Sequence, residues 1–186
     1  TRSKHGGIYT TEYGLMGDKE GIDNSVPHPW EECRGIGTSF GFNRTEVLSD
    51  YSTPEQLIKL LVSTVSAGGN LLLDIGPSAD GTIPVIMQQR LLEIGNWLKT
   101  NGEAIYGTRA FIRSKKDEAV NPETNQNIFF TQKNKDVYVI CLDWPKGDIV
   151  LMGVKPKNKL MVQLLGTDRS VPVKVSGGNL VFKPPV

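Results

Sequence analysis

The chain has 186 residues, a formal net charge of +1 and 38% apolar residues, with three tryptophans. That is enough material for one ordinary domain or two small ones with a real core, which excludes a disordered chain. Near-neutral charge argues against nucleic acid or an acidic membrane surface as partner, and no apolar run is long enough to span a bilayer.

The first segment, from Lys4 to Gly14, sets a carboxylate (Glu12), two tyrosines and a histidine among three glycines. It lacks helical periodicity and reads as a loop. Glycines let backbone approach a ligand closely, aromatic rings offer flat apolar faces, and desolvation raises a carboxyl pKa toward that of a general acid. The plain alternative is an exposed surface glutamate. The basic start Thr1-Arg2-Ser3-Lys4-His5 is followed by no apolar stretch, so it does not read as a signal peptide. The abrupt start, without methionine, is expected of the C-terminal part of something larger.

Trp30 to Ile36 reads as a strand. Thr53-Pro54-Glu55-Gln56 carries an N-cap, a first-turn proline and a capping-box partner. Leu57, Leu60, Leu61 and Val65 recur at helical spacing, and Gly68-Gly69 ends that helix. The continuous apolar run from Asn70 to Gly76 is expected to be a strand buried on both faces. Asp80-Gly81 marks a turn, and a second helix is expected from about Pro84 to Thr100, with Ile86, Leu91, Ile94, Trp97 and Leu98 inward. Strand–helix repetition is the grammar of a βα-repeat fold.

Beyond a boundary near Gly107 the pattern changes. Short apolar or alternating runs at 127–131, 137–142, 149–152, 161–165, 171–175 and 180–183 are separated by turn signals, as in an antiparallel sandwich. Trp97 and Trp144 are read as core residues. Cys33 and Cys141 are read as buried free thiols. His28 and the Lys115-Lys116 and Lys155 to Lys159 clusters are read as solvated surface. Asp74 and Asp80 lack clustered ligand spacing, so no metal is expected. Asn43-Arg44-Thr45 fits a glycosylation sequon of a kind that arises often by chance.

Four segments in this order resemble the α-L-fucosidases of glycoside hydrolase family twenty-nine: residues 5–13, 30–44, 68–84 and 97–108. The resemblance covers nearly all of residues 4–108, and the β-rich tail matches in type only. It implies an α/β fold in which 1–107 is the terminal part of a (β/α)8-like barrel and 108–186 is an antiparallel β-sandwich domain. It implies a retaining exo-glycosidase, without cofactor, that removes terminal α-L-fucose from fucosylated glycans. Glu12 matches the acid/base position, with Glu31 as runner-up, and Phe40 matches an aromatic residue that covers the fucose methyl group. His5 and Tyr13 are expected to line the sugar. The family nucleophile, an aspartate, would lie upstream of residue 1, so the partner implied is the remainder of the barrel, on the same or a second chain. This polypeptide alone is therefore expected not to turn over substrate. The compartment stays open among secreted, periplasmic and lysosomal. The contrasting expectation is a non-catalytic carbohydrate-binding or structural fragment, in which Trp144 and Phe182 would stack on glycan.

Overall fold

The computed structural model describes the backbone course of residues 9–12 and the residues 29–111, 128–145, 147–151 and 160–184. The chain divides into two compact units, residues 1–110 and 111–186.

The first unit is built on three parallel strands in the order β1 (Tyr9–Glu12), β2 (Trp30–Gly35), β3 (Asn70–Asp74). Within the segment from Lys4 to Gly14 expected as a loop, the described residues Tyr9–Glu12 are a strand. Tyr9, Thr10 and Thr11 favour extended backbone, and pairing with β2 decides the matter where the flanking glycines pointed to a loop. Register aligns Thr10 with Glu31 and Glu12 with Cys33, then Glu31 with Asn70, Cys33 with Leu72 and Gly35 with Asp74.

Helix α1 (Pro54–Ser66) starts as its residues dictate. The Thr53 hydroxyl accepts from the Gln56 amide, and the Gln56 side chain accepts from the Thr53 amide at 2.8 Å. Gly68, at φ 86°, takes the left-handed conformation that stops it. Helix α2 (Val85–Asn101) follows β3 and its Asp80-Gly81 turn. Ile36, Tyr51, Leu57, Met87 and Ile94 form the core of this unit, with Leu73, Ile75, Ile86 and Leu98 against it. Met87 takes the place expected for Leu91, which faces outward. Arg90 ties α2 to the segment before α1 by donating to the Ser52 carbonyl at 2.9 Å. A two-residue strand, β4 (Arg109–Ala110), ends the unit.

β3 is not buried on both faces. Leu73 packs into the helix-covered core, whereas Leu72, on the opposite face, is 43% exposed. Alternation in a strand sends neighbours to opposite sides, and among the described residues only one side of this sheet carries helices.

In the second unit β5 (Ile128–Lys133) and β6 (Asp136–Cys141) form an antiparallel hairpin around Asn134, whose φ is 57°. β7 (Ile149–Leu151), β8 (Val173–Ser176) and β9 (Asn179–Phe182) form an antiparallel sheet in the order β7-β9-β8. The run at 161–165 is no full strand. It makes a single bridge, Gln163 to Ser170, because the chain reverses at once through Gly166 at φ 75°. Ile149, Leu151, Val171, Leu180 and Phe182 form the core of this unit. Phe182 is therefore no stacking surface, and Trp144, expected in the core, is 60% exposed just past the bend that follows β6. His28, Lys115, Lys116 and the Lys155 to Lys159 cluster lie outside the described residues.

Gly76, just after β3, shows why a glycine stands there. A Cβ on it would meet the Phe42 amide nitrogen at 2.1 Å and the Gly41 carbonyl carbon at 2.4 Å. Gly76→Ala is therefore expected to cost about 1–3 kcal/mol, as overpacking does. Gly41→Ala, whose Cβ meets nothing within 4 Å, should stay within about 0.5 kcal/mol of wild type. Urea denaturation of the two variants checks this, and equal stabilities would contradict the packing.

Both cysteines are free thiols, Cys33 buried as expected and Cys141, expected buried, only half-buried. Burial pushes Cys141 up to about 11 from its ordinary 9.0, a difference of 2 that lowers its thiolate fraction at pH 8 by about 100-fold. Mass mapping of iodoacetamide labelling should show Cys141 slower than an exposed thiol by about that factor in the native protein, and fast in urea. Rapid native labelling would contradict the burial.

Candidate functional site

In a parallel sheet all strands point their C-terminal ends to one edge, and loops leaving that edge gather there. Here the edge is marked by Gly35 and Asp74, which stand in register. Glu12 stands level with Cys33, two residues or about 7 Å below that rim. Glu31 stands four residues below it, about 13 Å, at the opposite end of β2. The two candidate carboxylates thus lie at different heights on adjacent strands. His5 and Tyr13 lie outside the described residues.

Phe40 sits in the loop that leaves β2 at the rim. The loop is pinned at its root by Ile36, whose amide donates to the Asp74 carbonyl at 3.3 Å and whose carbonyl accepts from the Ser52 amide at 2.9 Å. Its tip carries Phe40 and Phe42, 41% and 42% exposed, with Gly41 between them. Gly76 lets the loop after β3 close against the backbone of Gly41 and Phe42. The sequon residues serve this same loop. Asn43 accepts from the Thr45 amide and hydroxyl at 3.0 and 2.8 Å, and donates to the Ser39 hydroxyl at 2.9 Å.

Glu46 was not singled out by the sequence. It reaches back across the loop and accepts from the Thr38 hydroxyl at 2.9 Å and the Ser39 amide at 2.8 Å. Burial acts to raise its pKa, but the Thr38 and Ser39 donors, with the Tyr51 side chain adding to them, outweigh this and its pKa falls below the ordinary value, while its other oxygen, Oε2, is buried without a hydrogen-bond partner among the described residues. Tyr51 moves the other way, raised by burial and then by the adjacent Glu46 carboxylate. No periodicity marks Glu46, since its role comes from a contact across seven and eight residues of irregular chain.

Glu32, next to the singled-out Glu31, is the buried carboxylate of β2 at 1% exposure, and Arg34 donates to it. Both residues share the helix-covered face with Leu71 and Leu73 by register. Arg34, Gly35, Gly37, Thr38, Ser52 and Leu60 line an open hollow beside α1. Asp80 serves its turn, accepting from the Ser78 hydroxyl and the Thr82 amide. No group of three or more potential metal ligands is present among the described residues.

The family pattern for α-L-fucosidase matches residues 1–103, and that for the α-L-fucosidase C-terminal domain matches residues 120–185. Human plasma α-L-fucosidase is 45% identical over 169 residues, covering 88% of this chain and 34% of its own. The α-L-fucosidase isoenzyme 1 of Paenibacillus thiaminolyticus superposes with a TM-score of 0.79 at 31% identity, over 96% of this chain and 41% of its own. The Thermotoga maritima α-fucosidase in complex with fucose gives a TM-score of 0.76 at 36% identity, over 96% and 38%. The chain thus spans 34–41% of the length of these relatives. With one family pattern covering more than half of its residues and a second covering most of the remainder, this chain belongs to the α-L-fucosidase family.

Proposed function

We propose that the chain is the closing portion of a (β/α)8-like barrel, residues 1–107, followed by an antiparallel β-sandwich, and that the whole protein is a retaining α-L-fucosidase. The observation that carries this is the placement of Glu12 near the C-terminal rim of a parallel sheet, on the strand adjacent to the one whose loop presents Phe40. In closed βα barrels chemistry sits at that rim. The face of β3 left open at Leu72 suits a barrel interior completed by further strands.

Retaining glycosidases work with two carboxyl groups about 5–5.5 Å apart. Glu12 is the acid/base in this reading. Its proton goes to the departing glycosidic oxygen as the nucleophile bonds to the anomeric carbon. Ionised Glu12 then takes a proton from the water that releases the sugar. The nucleophile, an aspartate, comes from polypeptide upstream of residue 1 or from a second chain. Phe40 presents an apolar ring to the C5 methyl group of a 6-deoxy sugar, a contact worth about one buried methyl. His5 and Tyr13, flanking β1 in sequence, line the same sugar. Glu31, at the far end of its strand, acts as a structural carboxylate.

The test uses the complete polypeptide that carries this chain, assayed on α-L-fucosides with good and poor leaving groups. Glu12→Gln should lose about 10²–10⁴-fold in kcat/KM on poor leaving groups and less on an activated aryl fucoside, while Glu31→Gln stays near wild type. Full activity of Glu12→Gln on poor leaving groups, or hydrolysis of another sugar in place of fucose, would overturn the assignment.

A further inference from the structure

We infer that Glu46 is the positioning residue of the Phe40 loop, and that it sets the preference of the site for a sugar bearing a methyl group. The inference rests on the functional reading above for its substrate and on geometry for its mechanism. A loop of irregular chain that exposes two phenylalanines gains little from burying its tip, so its conformation must come from elsewhere. It comes from a carboxylate. One oxygen of Glu46 accepts from both the Thr38 hydroxyl and the Ser39 amide, the residues immediately before Phe40. Hydrogen bonds to an ionised acceptor are roughly twice as strong as neutral ones.

The fit around that carboxylate is close. A Cβ at Gly37 would meet the Glu46 carboxylate oxygens at 2.7 and 2.8 Å. Glycine at 37 therefore admits the side chain that fixes 38 and 39. Tyr51, itself buried in the core of the unit, interacts with the same carboxylate and links the loop to the helices. Asn43 closes the far side of the turn by donating to the Ser39 hydroxyl. Ser39 is thus held at its amide by Glu46 and at its hydroxyl by Asn43, and the backbone direction into Phe40 follows.

Two measurements test this. The first is amide hydrogen exchange at Ser39 in wild type, Glu46→Ala and Glu46→Gln. The second is the ratio of kcat/KM for an aryl α-L-fucoside to that for the corresponding aryl β-D-arabinopyranoside, the same sugar without its methyl group, in the complete polypeptide. Glu46→Ala should speed Ser39 exchange by about 10-fold or more, as expected when a hydrogen bond worth roughly 1.5–3 kcal/mol is lost. It should also lower the fucoside preference by roughly fourfold, the value of one buried methyl. Glu46→Gln, which keeps an acceptor oxygen, should restore most of both. Unchanged Ser39 exchange in a folded Glu46→Ala variant overturns the positioning role, whatever the enzyme cleaves. Faster exchange with an unchanged preference overturns the link to specificity. If the wild type hydrolyses neither glycoside, the fucosidase reading falls and takes the specificity claim with it, while the exchange rates still decide whether Glu46 holds the loop.

Discussion

Ile36 binds the first unit together through both its backbone and its side chain. Its amide extends the β2–β3 pairing one residue beyond the strand, to the Asp74 carbonyl, and its carbonyl takes the Ser52 amide just ahead of α1. Its side chain, 1% exposed, lies in the core with Leu57, Met87 and Ile94. Full burial of such a side chain contributes about 1.5–3 kcal/mol, and each backbone bond about 1 kcal/mol more. The consequence is geometric as much as energetic. A fifteen-residue excursion leaves and re-enters the core within one backbone bond, so Phe40 is carried on a closed loop whose two ends cannot drift apart.

The regular elements of this unit were largely legible in the sequence because each carries a local code. Thr53, Pro54 and Gln56 announce the start of α1, Gly68 its end, and the Leu71–Leu73 run the strand after it. The misreadings share a physical cause. Tyr9 to Glu12 reads as loop because a four-residue strand set between glycines holds too little pattern to reveal itself, and the pairing that makes it one comes from residues more than twenty positions away. The two-faced burial expected of β3 is a statement about what covers a sheet, which is a tertiary property. Only the Leu73 face meets helices among the described residues. Trp144 shows the same limit in the second unit: a tryptophan beside an apolar strand reads as core, yet it falls between a bend and Pro145 and is largely exposed.

The site was legible unevenly, and for a related reason. Glu12, Glu31 and Phe40 stand out by residue type within conspicuous segments. Which of the two glutamates stands nearer the rim is settled only by register, because a parallel pairing converts sequence position into height along the strand. Glu32 and Glu46 were passed over although both are more constrained than Glu31. Glu32 is buried with Arg34 on the helix side, and Glu46 has its carboxylate turned into the loop that contains it.

Carboxylates in this unit thus divide by what surrounds them. Near the rim at β1, the functional reading asks for a group that binds and releases a proton, which favours a partly desolvated environment with few fixed donors. In the Phe40 loop the demand is opposite. A brace must stay ionised to hold its donors, and the three groups around Glu46 hold its pKa below the ordinary value against the desolvation that would raise it. Such a brace contributes stability above the ordinary carboxylate range and loses it as pH falls through the lowered folded-state value. A loop held this way keeps its aromatic tip in place until pH falls through the lowered folded-state value of Glu46.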